Sequence, residues 1–147
     1  MKRIACVLMV ALVLMSGCAK DEEKKAVCRV SQNGISDEMT LNALNDEVLN
    51  SKSIMTVPFS LYELTTEEER AQFTEQMMAG FSEVEGIKVS SETTEEEFVL
   101  TIEVDYTVAA LESLLELGLI EESDMDSEMI SYEMTVENLV SMGYTCE

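Results

Sequence analysis

The groups in this chain that could do chemistry are carboxylates and cysteines. Two acidic runs stand out, Glu95-Glu96-Glu97 and Glu121-Glu122-Ser123-Asp124-Met125-Asp126-Ser127-Glu128. In the second, Asp124, Asp126 and Glu128 alternate, and hard oxygen ligands of that kind suit Ca²⁺. The run lacks the glycine and the distal glutamate of an EF-hand loop, so a solvated acidic loop is the plainer reading. Paired carboxylates also serve glycoside hydrolysis. Sugar-binding sites usually need aromatic platforms, and the chain has four tyrosines (Tyr62, Tyr106, Tyr132, Tyr144), four phenylalanines and no tryptophan. Histidine is absent, which removes Ser-His-Asp and Cys-His catalysis and every His-ligated metal site. No glycine-rich phosphate loop occurs. The expectation is a chain without catalytic residues and without a cofactor.

Of the four cysteines, Cys18 has the most informative surroundings. Lys2 and Arg3 precede an apolar run from Ile4 to Met15, which is shorter than the roughly 20 residues a bilayer span needs. Leu14-Met15-Ser16-Gly17-Cys18 follows. This layout resembles a bacterial lipoprotein signal peptide ending in a lipobox, with Met15 where leucine is usual. The resemblance implies removal of residues 1–17 and acylation of the Cys18 thiol, so that the membrane is a partner through Cys18. Each buried CH₂ of the acyl chains adds about 0.8 kcal/mol to anchoring. An ordinary secretory signal with an unmodified Cys18 is the alternative.

Removing Lys2 and Arg3 leaves seven of the nine basic residues against all 30 acidic ones, a formal charge of −23. Such a charge repels phosphates, so nucleic acid is not expected as a partner. Residues 18–25 read as the lipidated cysteine and a charged tether, because AKDEEKK has nothing to bury. Cys6 leaves with the signal, and Cys28 and Cys146 remain as the single possible intramolecular pair. Export would let a disulfide persist. Two free thiols, or a redox pair, are the other readings. The second usually needs close CxxC-type spacing.

Residues 26–147 are long enough for one domain with a real core. Ala26–Gln32 reads as a strand, and Asn33-Gly34 is a strong hairpin signal. Met39, Leu41 and Ala43 alternate with polar residues as in a second strand, and Asn45-Asp46 suggests another turn. Val48–Leu64 reads as a long strand in which Met55, Val57, Phe59 and Leu61 alternate. Pro58 then argues for an edge or a bulge. Thr65-Thr66-Glu67-Glu68-Glu69 has capping-box spacing and opens a helix, with Phe73, Met77, Phe81 and Val84 as its stripe and Gly86 as its stop. Met77-Met78 reads as core rather than as a binding surface. Ile87–Ser91 and Phe98–Tyr106 are further strands. A short helix should turn Val108, Leu111, Leu114 and Leu115 inward, and a last helix, about Ser131 to Met142, should do the same with Tyr132, Val136, Leu139 and Val140. Gly143 stands where a left-handed C-terminal residue belongs. Tyr144–Cys146 could then reach the first strand. The fold class is α+β, an antiparallel sheet with helices packed on one face.

Together these features resemble the YehR-like lipoproteins, a bacterial family of small lipid-anchored proteins without an established function. The resemblance runs through the leader, the tether and the Asn33-Gly34 hairpin. It is clearest in Val99–Tyr106 leading into a short helix, and in Ile130–Tyr144 closing on a glycine and an aromatic. It implies an extracytoplasmic domain at the cell membrane but transfers no site residues. The chain departs from the family in its acidity and in Cys28 and Cys146. The expected role is a non-catalytic binding or accessory domain of the envelope that meets an unknown envelope protein or small ligand. A carrier of a small ligand or Ca²⁺, and a hydrolase built on acidic residues, are the alternatives. A hollow between sheet and helices would mark the carrier.

Overall fold

The computed structural model describes residues 21–81, 84–122 and 129–147. Among the described residues, six strands form one antiparallel sheet: β1 Glu23–Gln32, β2 Ile35–Leu44, β3 Glu47–Pro58, β4 Ile87–Thr93, β5 Glu97–Asp105 and β6 Thr145–Cys146, in the order β4-β5-β3-β2-β1-β6. The helices are α1 Glu67–Ala79, α2 Leu111–Glu116 and α3 Tyr132–Ser141, with a 3₁₀ turn at Phe59–Tyr62. Leading residues 1–20, which carry the lipobox and Cys18, lie outside the described residues, as do Asp124, Asp126 and Glu128.

The β1–β2 hairpin turns at Asn33 and Gly34, both at positive φ (54° and 86°), which matches the right-handed twist of the flanking strands. The β2–β3 hairpin turns at Asn45 (φ 58°) and Asp46. Between Asn42↔Asn50 and Ala43↔Val48 the register shifts, leaving Leu49 as an extra residue. Its carbonyl accepts the Tyr106 N–H at 3.0 Å.

The register decides which side chains share a face, because paired residues point the same way. Ala26, Cys28, Met39, Leu41, Val48, Met55, Val57, Phe98, Leu100, Ile102, Val104, Ile87 and Val89 all fall on one face. The core on that face is divided. One cluster joins Ala26, Cys28, Leu41, Val48 and Val104 to Leu114 of α2 and Leu139 of α3. The other joins Val57, Phe59, Phe98 and Leu100 to Phe73, Met77 and Met78 of α1. Ile102 touches both. The opposite face carries Lys25, Arg29, Glu38, Thr40, Asn42, Lys52, Glu103 and Lys88, with a Lys52–Glu103 ion pair at 3.0 Å.

Several sequence expectations need correction. The strand begins at Glu23, so Glu23–Lys25 belong to β1 and not to the tether. Lys24 is engaged, 5.6 Å from the Tyr132 ring centre and 3.6 Å from Glu133. The strand read as Val48–Leu64 stops at Pro58, and β3 is interior. Proline is tolerated there because the β2 ladder has already ended at Ser36↔Thr56. The Phe59 N–H points to Glu96 on the β5 side, so the Pro58 nitrogen faces the side where no strand needs a donor. Leu61 consequently leaves the alternation and is exposed. Helix α1 ends at Ala79, before Gly86. Gly86 instead makes the turn into β4 (φ +82°), where an added Cβ would lie 2.6 Å from the Ala109 nitrogen. Val108 and Val140 are half exposed rather than inward. Among the described residues, no helix is long and apolar enough to cross a membrane.

Candidate functional site

A groove lies on the helix-bearing face, beside the first core cluster. It runs between Met39 and Tyr106 on the sheet side and Leu119, Ile120, Leu139, Met142 and Tyr144 around α2 and α3. A second depression, lined by Val30, Ile35, Asp37 and Met55, shares Met142 and Tyr144 with the first. Apolar and sulfur-bearing side chains dominate, and flexible methionines let such a surface adapt to what it meets.

Polar groups lie beside this groove, and Asp37 lines the second depression. Asp37, Ser51 and Ser53 occupy inward positions of β2 and β3, where the alternation calls for apolar residues. The Tyr144 hydroxyl donates to one Asp37 oxygen at 2.6 Å, and Ser53 Oγ donates to the other at 2.8 Å. The hydroxyls of Ser51 and Tyr106 lie 3.1 Å apart. Burial, then the hydrogen bond to Asp37 and its negative charge, push the Tyr144 phenol well above its ordinary range. Tyr144 is thus a firm donor, not a base.

The elements that place Tyr144 are long-range. Gly143 (φ +96°) reverses the chain after α3, and the Tyr144 N–H bonds the Leu139 carbonyl at 3.0 Å. The next residues form β6 against β1, with Cys28↔Cys146 in register and joined by a disulfide across a Cα–Cα distance of 4.0 Å. Cys28 is wholly buried. Helix α3 is held at its other end by the β2–β3 turn. Ser131 caps the helix, and Asp46 accepts from Ser131 Oγ at 2.7 Å and from the Glu133 N–H at 2.9 Å. The Glu133 amide and then the Ser131 hydroxyl hold the Asp46 carboxyl below its usual range.

The other sequence candidates are dispersed. Glu95 and Glu96 sit exposed in the β4–β5 turn, and Glu97 begins β5. Among the described residues, no three Cys, Asp or Glu side chains converge as a metal site would need. Tyr62 lies against Phe73 (5.1 Å) and Tyr132 beneath Lys24, so neither forms a platform with Tyr106 and Tyr144. Sequence reading did not single out Asp37, Ser51 or Ser53. Their signal was available: each falls in phase with the buried positions Leu41 or Val57 of its own strand.

Residues 26–145 match the model of a family described as a protein of unknown function, DUF1307. The chain belongs to the DUF1307 family. Its similarity to two Listeria relatives extends over most of both chains. The uncharacterized lipoprotein Lin0239 of Listeria innocua is 29% identical over 138 residues, 93% of this chain and 89% of the relative. The uncharacterized lipoprotein Lmo0207 of Listeria monocytogenes is 25% identical over 137 residues, with the same coverage. Two solved structures share the fold. The NMR structure of the E. coli YehR protein has a TM-score of 0.74 at 18% identity, covering 86% of this chain and 92% of that one. An NMR structure of a protein from Streptococcus pneumoniae TIGR4 has a TM-score of 0.60 at 16% identity, covering 100% and 98%. The YehR-like α+β fold expected from the sequence is therefore the fold of this DUF1307 member. With its own lipobox-like leader, this member is a lipoprotein of a family whose function is unknown.

Proposed function

We propose that the chain is a non-catalytic binding domain, tethered through lipidated Cys18 to the extracytoplasmic face of the cell membrane, that takes a small amphiphilic ligand in the groove. The observation that carries this reading is the groove beside the first core cluster. Met39, Met142, Leu119 and Tyr106 line it, and it adjoins Tyr144 and Asp37, whose carboxylate also accepts from Ser53. A pocket of mostly apolar lining with a few oriented polar groups is the usual form of a small-molecule site. The Asp37 carboxylate would favour a ligand with a hydrogen-bond donor or a positive charge at one end. The lipobox-like leader and the lipoprotein names of the two Listeria relatives support the anchor.

Because the chain has no tryptophan, an added fluorophore reports cleanly. Titration with N-phenyl-1-naphthylamine, a neutral apolar amine, is expected to give a saturable rise in fluorescence. Leu119→Asp and Met142→Asp, which charge the groove walls, should abolish it. A linear response, or one unchanged in both variants, would remove the groove from consideration. Mass spectrometry of the membrane form tests the anchor separately: a retained Met1 or an unmodified Cys18 would exclude it.

A further inference from the structure

The outer edge of β4 has a sequence that is complementary to itself. Among the described residues no strand pairs with that edge. The Asp105 N–H bonds the Gly86 carbonyl, and the Thr94 N–H bonds the Glu97 carbonyl. With the β4–β5 register, this alternation turns the backbone groups of Lys88, Ser90 and Glu92 towards β5 and those of Val89, Ser91 and Thr93 outwards. The Ile87 N–H is already taken by Val84. Val89 and Ser91 thus present outward N–H and C=O groups on a strand of seven residues. Unpaired groups of this kind template a further strand.

We propose that a second copy of this chain pairs with this edge, β4 against β4, antiparallel, about a two-fold axis through Ser90. In that register Ser90 faces Ser90, and Lys88 of each copy faces Glu92 of the other, twice by symmetry. Val89 meets Ser91, and these residues exchange four backbone hydrogen bonds. Ile87 meets Thr93. Moving the axis by one residue either way keeps outward backbone groups opposite one another but removes both Lys–Glu pairs, so the charges select this register. Opposite charges directly across a strand pair stabilise it, and like charges oppose it. Lys88 and Glu92 are both exposed on the helix-free face of the sheet, so nothing in the fold competes for that contact from the edge side. The interface is isologous and closed, as in most homodimers. The axis is normal to the sheet. With the axis along the membrane normal, both copies start their β1 strands at equal height above one bilayer, as two lipid anchors require. This inference is independent of what the groove binds.

Ser90→Cys in the full-length chain tests it directly. A non-hydrogen-bonded pair brings Cα atoms to about 4.5 Å, within disulfide range. Mild oxidation of membranes should therefore yield a species of doubled mass on a non-reducing gel. Ser36→Cys, on the same face but on an interior strand, should not yield it. Adding Lys88→Glu to Ser90→Cys should lower the crosslinked fraction about fivefold, and Lys88→Glu with Glu92→Lys should restore it. No crosslink from Ser90→Cys, or a crosslink indifferent to the charge reversal, would overturn the proposal and leave Lys88 as a guard against edge pairing.

Discussion

The Tyr144 hydroxyl lies 2.6 Å from a carboxylate oxygen of Asp37, a residue 107 positions earlier in the chain. This contact ties the segment after α3 to an inward position of β2. A hydrogen bond to a charged group contributes about 1.5–3 kcal/mol when well sheltered. At this half-buried position Tyr144→Phe should cost about 1–2 kcal/mol in urea unfolding.

The same contact sets an alkaline pH dependence. The folded Tyr144 phenol has a raised pKa, so the folded state holds the proton more tightly than the unfolded chain. Its contribution is fully present below the unfolded value of about 10 and is lost as pH rises through the folded value. Stability should fall above pH 10, less steeply in Tyr144→Phe. Absorbance titration should show a tyrosine that ionises only as the chain unfolds, and Tyr144→Phe should remove it.

Asp46 gives the opposite dependence. Its carboxyl is held below the usual range by the Glu133 amide and the Ser131 hydroxyl. The stabilisation is present above the unfolded pKa, near 4, and is lost as pH falls through the folded value. Asp46→Ala should lower Tm at pH 7 and flatten the acid limb of a Tm-against-pH curve. An unaltered acid limb would mean that Asp46 does not cap α3 in solution.

The Cys28–Cys146 bridge closes a separation of 118 residues. Chain entropy alone puts such a closure at about 4–5 kcal/mol, with smaller values common in practice. Cys28→Ala with Cys146→Ala should lower the urea midpoint correspondingly and release β6 first. Hydrogen exchange at Val27 and Glu147, whose backbones bond each other at 2.9 and 3.1 Å, reads that release.

Two glycines at positive φ should respond differently to alanine. At Gly118 (φ +68°) nothing lies within 4 Å of an added Cβ, so the cost is the left-handed backbone alone, about 1–2 kcal/mol. At Gly86 the methyl would also strike the Ala109 backbone at 2.6 Å. Gly86→Ala should cost clearly more, about 3 kcal/mol or above. Equal midpoints for the two variants would contradict the close approach.

Helix α1 rests on one aromatic anchor. It has no fully buried residue, and Phe73 meets Phe98 edge-on at 5.6 Å and Phe59 at 6.2 Å. Phe73→Ala should cost about 3 kcal/mol. It should strip exchange protection from α1 while the β1–β2 hairpin keeps it.

What the sequence alone determined is local. Alternation marked β2 and β5, because a strand with one buried face must repeat every two residues. Asn33-Gly34 named its turn, since both residues accept positive φ. Thr65-Thr66 with glutamates three residues on announced a capping box, and the fold makes both of its hydrogen bonds at Thr66 and Glu69. The charge balance and the leader are likewise properties of composition and order. Tertiary structure decided what lies opposite what. Periodicity says that Asp37 and Ser53 share phase with apolar neighbours, but only the β2–β3 register and the return of the chain at Gly143 put Tyr144 upon them. Pro58 looked like an edge residue because its missing donor was legible and the end of β2 beside it was not. Val108 and Val140 fit a helical stripe, yet a stripe is buried only as wide as its partner surface, and here α2 and α3 each press a single residue, Leu114 or Leu139, fully into the core. Asp46 reads as a turn residue in the sequence, and it caps α3 only because folding brings residues 85 and 87 positions further on beside it.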